Sequence, residues 1–285
     1  MTNRSARLLR HGLLAAAALS PLAAAPAADA APRSETAASG QVSAKLSWDQ
    51  SSSKGASNVR VSITRAGSEL VSESVQPDCR EFCLVPPGDQ PLRILDLDGD
   101  GEPEVLVDLY SGGAHCCSVL LLYGFDQAAG RYERVQRDFG NPGYTLRDAG
   151  RDGSTEVFTE DDRFSYLFTS YLESFRPLMV LRYERGALVD VTRSLRGELR
   201  RHARELYATF KRLRRDGDLD LRGVAAAWQA DNYLLGGSAP ARGWKTLRAA
   251  ARRGELRRVP PNGGRSGTRY LTSLRRYLKR FGYIR

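Results

Sequence analysis

Residues Asp96-Leu97-Asp98-Gly99-Asp100-Gly101-Glu102-Pro103-Glu104 carry oxygen side chains at alternating positions, with glycine where a tight loop must turn. Hard cations such as Ca²⁺ take six to eight oxygen ligands at about 2.3–2.6 Å, and this spacing wraps carboxylates around one centre. Without a cation, four acids so close together would repel one another. The chemistry predicted is therefore the binding of calcium by Asp96, Asp98, Asp100 and Glu104. A helix-flanked calcium loop would need a carboxylate at its twelfth position, and that position is Val107. The following Val105-Leu-Val-Asp-Leu alternates like a strand instead, so the loop joins two strands.

A shift of 52 residues superposes Asp148-Ala-Gly-Arg-Asp152-Gly-Ser-Thr-Glu156-Val157 on Asp96 to Val105, with Asp, Asp, Gly, Glu and Val coinciding. Gly150 replaces the acid of Asp98, so this second loop of Asp148, Asp152 and Glu156 is expected to bind more weakly or not at all. Repeats of about fifty residues are a signature of arrays of small sheets. The pattern D-x-D-x-D-G-x-x-[DE] resembles the calcium loop of FG-GAP repeats, the units of integrin-α-type propellers. The resemblance covers roughly residues 90–160. It implies metal ligands at Asp96, Asp98, Asp100 and Glu104, with the carbonyl of Glu102 as a fifth. The stretch that follows, with its helical tail, resembles secreted bacterial proteins of this repeat class whose role is unassigned.

Four cysteines occur, at Cys79, Cys83, Cys116 and Cys117. In an exported chain an even number favours disulfides. Neighbouring Cα atoms lie about 3.8 Å apart, below the usual disulfide window, so Cys116 and Cys117 are not expected to pair with each other. Links from Cys79 and Cys83 to Cys116 and Cys117 are expected, in either pairing. Zinc on Cys79, Cys83, His115, Cys116 and Cys117 is the alternative, disfavoured in an oxidising compartment. His115, with Ser111, Ser118 and Asp108 nearby, is the candidate centre of a hydrolase. No G-x-S-x-G elbow accompanies it, so a satisfied structural histidine is the simpler expectation.

The elements that position these residues are legible as periods. Arg4, Arg7 and Arg10 precede an alanine-rich apolar run ending near Ala28-Asp29-Ala30, which reads as a cleavable signal peptide over 1–30. Its run is too short for a membrane span, and the expected location is secreted or cell-envelope. Residues 31–41 lack an apolar period and read as a flexible leader. From 42 to 192, short alternating segments separated by Gly, Asp and Asn predict an antiparallel β-meander of propeller-like small sheets. From about Leu195 the period becomes helical: Leu199, Ala203, Leu206, Phe210 and Leu213 form one stripe. Further stripes at Leu221–Leu235, Trp244–Ala251 and Tyr270–Phe281 complete four helices over 193–285. Asp218 or Asp220 is the expected cap of the second helix. The fold class expected is α+β, strands first.

Charge divides the same way. Residues 193–285 hold 24 basic and 7 acidic side chains, a net of +17, whereas 31–192 hold 16 and 25, a net of −9. Arginine outnumbers lysine 38 to 5, which points to a GC-rich genome and weakens any argument from arginine count alone. The leading expectation is a non-enzymatic, calcium-binding scaffold outside the cell with an unidentified extracellular or envelope partner. Attachment of the basic half to an anionic envelope polymer or lipid is the other binding reading. Nucleic acid is not expected of an exported chain without a recognised motif.

Overall fold

The structure is a computed structural model, and it describes residues 30–51, 55–75, 85, 90–113, 116–217 and 219–284. Three four-stranded antiparallel meanders follow one another and lead into four helices. Sheet A holds β1 (Ala31–Ser39), β2 (Val42–Ser51), β3 (Gly55–Arg65) and β4 (Ser68–Ser74). Sheet B holds β5 (Leu92–Leu95), β6 (Glu104–Gly113), β7 (Cys116–Asp126) and β8 (Arg131–Asp138). Sheet C holds β9 (Thr145–Arg147), β10 (Glu156–Glu160), β11 (Leu178–Glu184) and β12 (Ala187–Asp190).

The sheets stack face on face in chain order. Val42, Leu46, Val61 and Ile63 of sheet A meet Val105, Val107, Leu109 and Leu121 of sheet B. The other face of sheet B, with Leu106, Leu120 and Leu122, meets Val157, Leu181 and Tyr183 of sheet C. Sheet B is thus covered on both sides. This explains why Val119 to Tyr123 is an unbroken apolar run, where a half-exposed strand would alternate. The stack does not close into a ring. Ser43, Lys45 and Arg60 leave the outer side of sheet A polar, and helices cover the outer side of sheet C.

Residues 31–39 correct the expectation of a flexible leader. They form β1, paired with β2 in continuous register from Ala31↔Gln50 to Ser39↔Val42. The strand is almost wholly exposed, so it has no apolar period to read. Its order comes from main-chain pairing along an edge, which composition does not encode.

The helices are α1 (Arg196–Asp216), α2 (Arg222–Leu235), α3 (Ala239–Arg252) and α4 (Gly267–Arg280). The predicted α1 stripe is buried in full. α2 lies at the centre of the bundle, and its first eleven residues, Arg222 to Asn232, are all buried. The N-cap position of this helix is held by Leu221, not by the expected Asp220, which lies one residue before it and has another role. Its Oδ1 accepts the Arg222 backbone N–H at 3.0 Å, and its Oδ2 lies 2.6 Å from Arg222 Nη2, with both side chains fully buried. The guanidinium also donates to the carbonyls of Gly263 and Arg265, fixing the loop before α4.

Candidate metal centre

The two acidic loops occupy the same place in adjacent sheets: 96–104 joins β5 to β6, and 148–156 joins β9 to β10. Three of their hydrogen bonds match position for position. Asp96 Oδ2 accepts from Gly101 N at 3.0 Å, and Asp148 Oδ2 accepts from Gly153 N at 3.3 Å. Asp100 Oδ1 accepts from Glu102 N at 2.8 Å, and Asp152 Oδ1 from Ser154 N at 3.1 Å. Glu104 Oε2 accepts from Leu97 N at 2.8 Å, and Glu156 Oε2 from Ala149 N at 2.9 Å. Gly101 and Gly153 share a φ of 88°, a left-handed turn that glycine adopts without strain. The two loops thus share a turn and three main-chain hydrogen bonds.

In the first loop, Asp96, Asp98 and Glu104 offer carboxylate oxygens that all lie within 4.8 Å of one another. Asp100 lines the adjoining cavity while holding the turn through Glu102 N–H. Glu102 turns its side chain away, to an ion pair with Arg65 at 2.7 Å, so only its main chain is left to face the loop. Burial pushes the Glu104 carboxyl up to about 8, reinforced by Asp98, Asp100 and Asp96 and opposed by the Leu97 N–H. Asp98 is raised as well, by burial and then by Asp100. Such a group of hard oxygens suits Ca²⁺ chemically. The cavity in front of it, about 530 Å³, is also lined by Phe125, Tyr183 and Arg185.

The second loop differs at two places. Gly150 supplies no carboxylate, and an arginine enters from the neighbouring strand. Arg182 forms a short ion pair with Glu156 Oε1 and reaches Asp152 Oδ2 at 3.4 Å. Nothing in the spacing of the loop itself signals Arg182, because it lies 26 residues from Glu156. The loops also touch: Thr155 N–H donates to the Leu97 carbonyl at 2.7 Å, and Ser154 Oγ to the Asp98 carbonyl at 3.2 Å.

Cys117 is disulfide-bonded. Cys79 and Cys83 lie outside the described residues, as does the side chain of Cys116, so the pairing lies there too. His115 is likewise outside them. Of the groups considered beside it, Asp108 is held by Arg93 and by the Tyr144 hydroxyl, each at 2.5 Å, and Ser111 Oγ accepts the Cys117 N–H at 2.7 Å. A second histidine joins a helix to sheet C. His202 of α1 places Nδ1 2.7 Å from Asp231 of α2 and Nε2 3.9 Å from Glu160 of β10. Only the fold brings these three elements together.

No family model matches the chain, and no solved structure matches it significantly. The chain is 33% identical over 162 residues to a probable thylakoid lumen protein of Synechocystis sp., covering 55% of this chain and 46% of that protein. It is 30% identical over 184 residues to an uncharacterized protein of Sinorhizobium fredii, covering 62% of this chain and 28% of that one. It thus spans less than half the length of either relative.

Proposed function

We propose that this is an exported, non-enzymatic scaffold protein whose first acidic loop binds calcium. The observation that carries the reading is the convergence of Asp96, Asp98 and Glu104 within 4.8 Å, with Glu104 only 3% exposed. A buried carboxylate is costly unless a cation neutralises it. The ion's role is structural: it pins the turn between β5 and β6, against which the second loop leans. Export is supported by the basic and apolar N-terminal segment, by the likeness to a probable thylakoid lumen protein, and by the disulfide at Cys117. Among the described residues, no helix is long and apolar enough to cross a membrane.

The test is thermal unfolding in calcium and in chelator. At a hundredfold excess over Kd a bound ion adds about 2.7 kcal/mol, or about 5–10 °C in a protein of this size. Asp98→Asn or Glu104→Gln should abolish the difference. Identical melting of the unaltered protein in both conditions overturns the reading.

A second binding reading rests on the basic half. Arg214, Arg215, Arg252, Arg257 and Arg258 are exposed, and of these only Arg214 lies near a carboxylate that it stabilises, that of Glu255, among the described residues. Arg214 and Arg257 flank a cleft of about 210 Å³ between the ends of α1 and α3. The apolar face of α4 is spent in the core, through Tyr270, Leu271, Leu274 and Leu278. Insertion of that face into a membrane would require unfolding, so an acidic polymer suits this surface better than lipid.

A further inference from the structure

Arg182 stands in sheet C at the position that Gly124 holds in sheet B. Val105 of β6 pairs with Tyr123, and its counterpart Val157 of β10 pairs with Leu181. Continuing each register by one residue matches Gly124 to Glu104 and Arg182 to Glu156; Gly124 and Glu104 line one cavity, and Arg182 bonds Glu156. Gly124 has no side chain to offer and borders the cavity in front of Asp98, Asp100 and Glu104. Arg182 fills the corresponding space with a guanidinium.

We propose that Arg182 is the resident cation of the second loop, and that Gly124 against Arg182 decides which loop takes a divalent ion. The proposal deepens the calcium reading of the first loop and rests on it. Glu156 is completely buried, as Glu104 nearly is, and each gives one oxygen to the main chain of its own loop. The remaining oxygen of Glu156 takes Arg182 Nε at 3.1 Å as well as the short contact to Nη2. A planar guanidinium suits this two-donor grip better than an ammonium would. Replacing Asp98 by Gly150 and gaining Arg182 changes the local charge from minus four to minus two. Both changes make a divalent ion dispensable. Arg182 contributes from outside the repeat motif, so the weakened pattern of the loop reports only half of the conversion.

Gly124 is also fixed by its neighbour in the next sheet. A Cβ there would lie 1.8 Å from the Tyr183 hydroxyl, so no side chain can enter without displacing Tyr183. The close approach of sheet C thus keeps the first loop free of a built-in cation. At Gly150 substitution is more feasible: the nearest atom to an added Cβ is Asp152 Oδ2, at 3.0 Å, the end of a side chain and not backbone.

The experiment is a count of bound calcium by native mass spectrometry, with calcium chloride as the probe, on the full chain and on Gly150→Asp/Arg182→Gly. The expected counts are one ion for the unaltered protein and two for the double variant. Arg182→Lys, which keeps the charge, should retain the unaltered count. A zero count in the unaltered protein would overturn calcium binding by the first loop. Two ions in the unaltered protein, or no gain in the double variant, would overturn the role of Arg182. Should the double variant unfold in chelator, restoration of its circular dichroism by calcium is the expected gain. Failure to fold in both conditions counts against the proposal, because the ion should replace the guanidinium.

Discussion

Glu104 and Glu156 show how one residue's partner sets its chemistry, because loops of the same turn hold them while one acid of the loop and the residue on the facing strand differ. The same logic applies to the Asp220–Arg222 pair, which is sealed inside the helical half with neither side chain exposed. Its lone pairs and protons are well satisfied: Asp220 Oδ2 also accepts from Val259 N and Asn262 Nδ2, each at 3.2 Å. Such a pair gains little over apolar packing while intact, but removing one partner strands the other charge. Arg222→Ala should therefore cost about 3–5 kcal/mol, read as a lowered denaturation midpoint with an unchanged slope. Arg222→Ala combined with Asp220→Ala should recover part of that loss. A single variant as stable as the parent would show that the pair does not carry the loop before α4.

At the scale of elements, α1 is bound to sheet C by His202 as well as by apolar contact. Burial lowers the affinity of this imidazole for a proton, but hydrogen bonds to Asp231 and Glu160 outweigh it and raise the group to about 9. Glu160 is pushed down despite its burial by His202 and Arg176, whereas burial dominates at Asp231 and raises it. A histidine raised on folding stabilises fully below its unfolded value of about 6.5, and the contribution disappears as pH climbs through about 9. Stability should thus fall across that window by up to about 3 kcal/mol, and His202→Gln should flatten the fall. An unaltered slope in the variant would place the titration elsewhere. The helices carrying these groups were legible from their stripes, since burying one face imposes a period. So were the strands of sheet B and both acidic loops. β1 was not, because an exposed edge strand has no period, and neither was His202, whose partners lie 42 residues before it and 29 after. Long-range polar pairing leaves no trace in local spacing.

Over the whole molecule, the stack of sheets ends at two unlike surfaces, one a polar sheet and the other an arginine-rich bundle. The −9 and +17 halves meet, among the described residues, in few ion pairs, Arg147 with Glu198 and His202 with Glu160, so most of their charge is not mutually neutralised. Arg193 and Arg196 instead donate to the carbonyls of Tyr233, Leu234 and Leu235 at the end of α2, where positive charge suits the helix terminus. The exposed arginines at the ends of α1 and α3 have no such use, and their field extends into solvent. An acidic polymer brought near them replaces small ions along its length, whereas a single carboxylate would gain little against water. The full chain should therefore be retained on an immobilised acidic polysaccharide at about 0.05 M salt and be released as salt approaches about 1 M, where the screening length shrinks to about 3 Å. Reversing Arg214 and Arg257 to Glu should bring elution to markedly lower salt without altering the calcium-dependent melting shift, because none of the residues lining this cleft belongs to the acidic loops. Retention that ignores salt, or that survives those reversals, would remove the cleft between α1 and α3 from any account of what this protein binds.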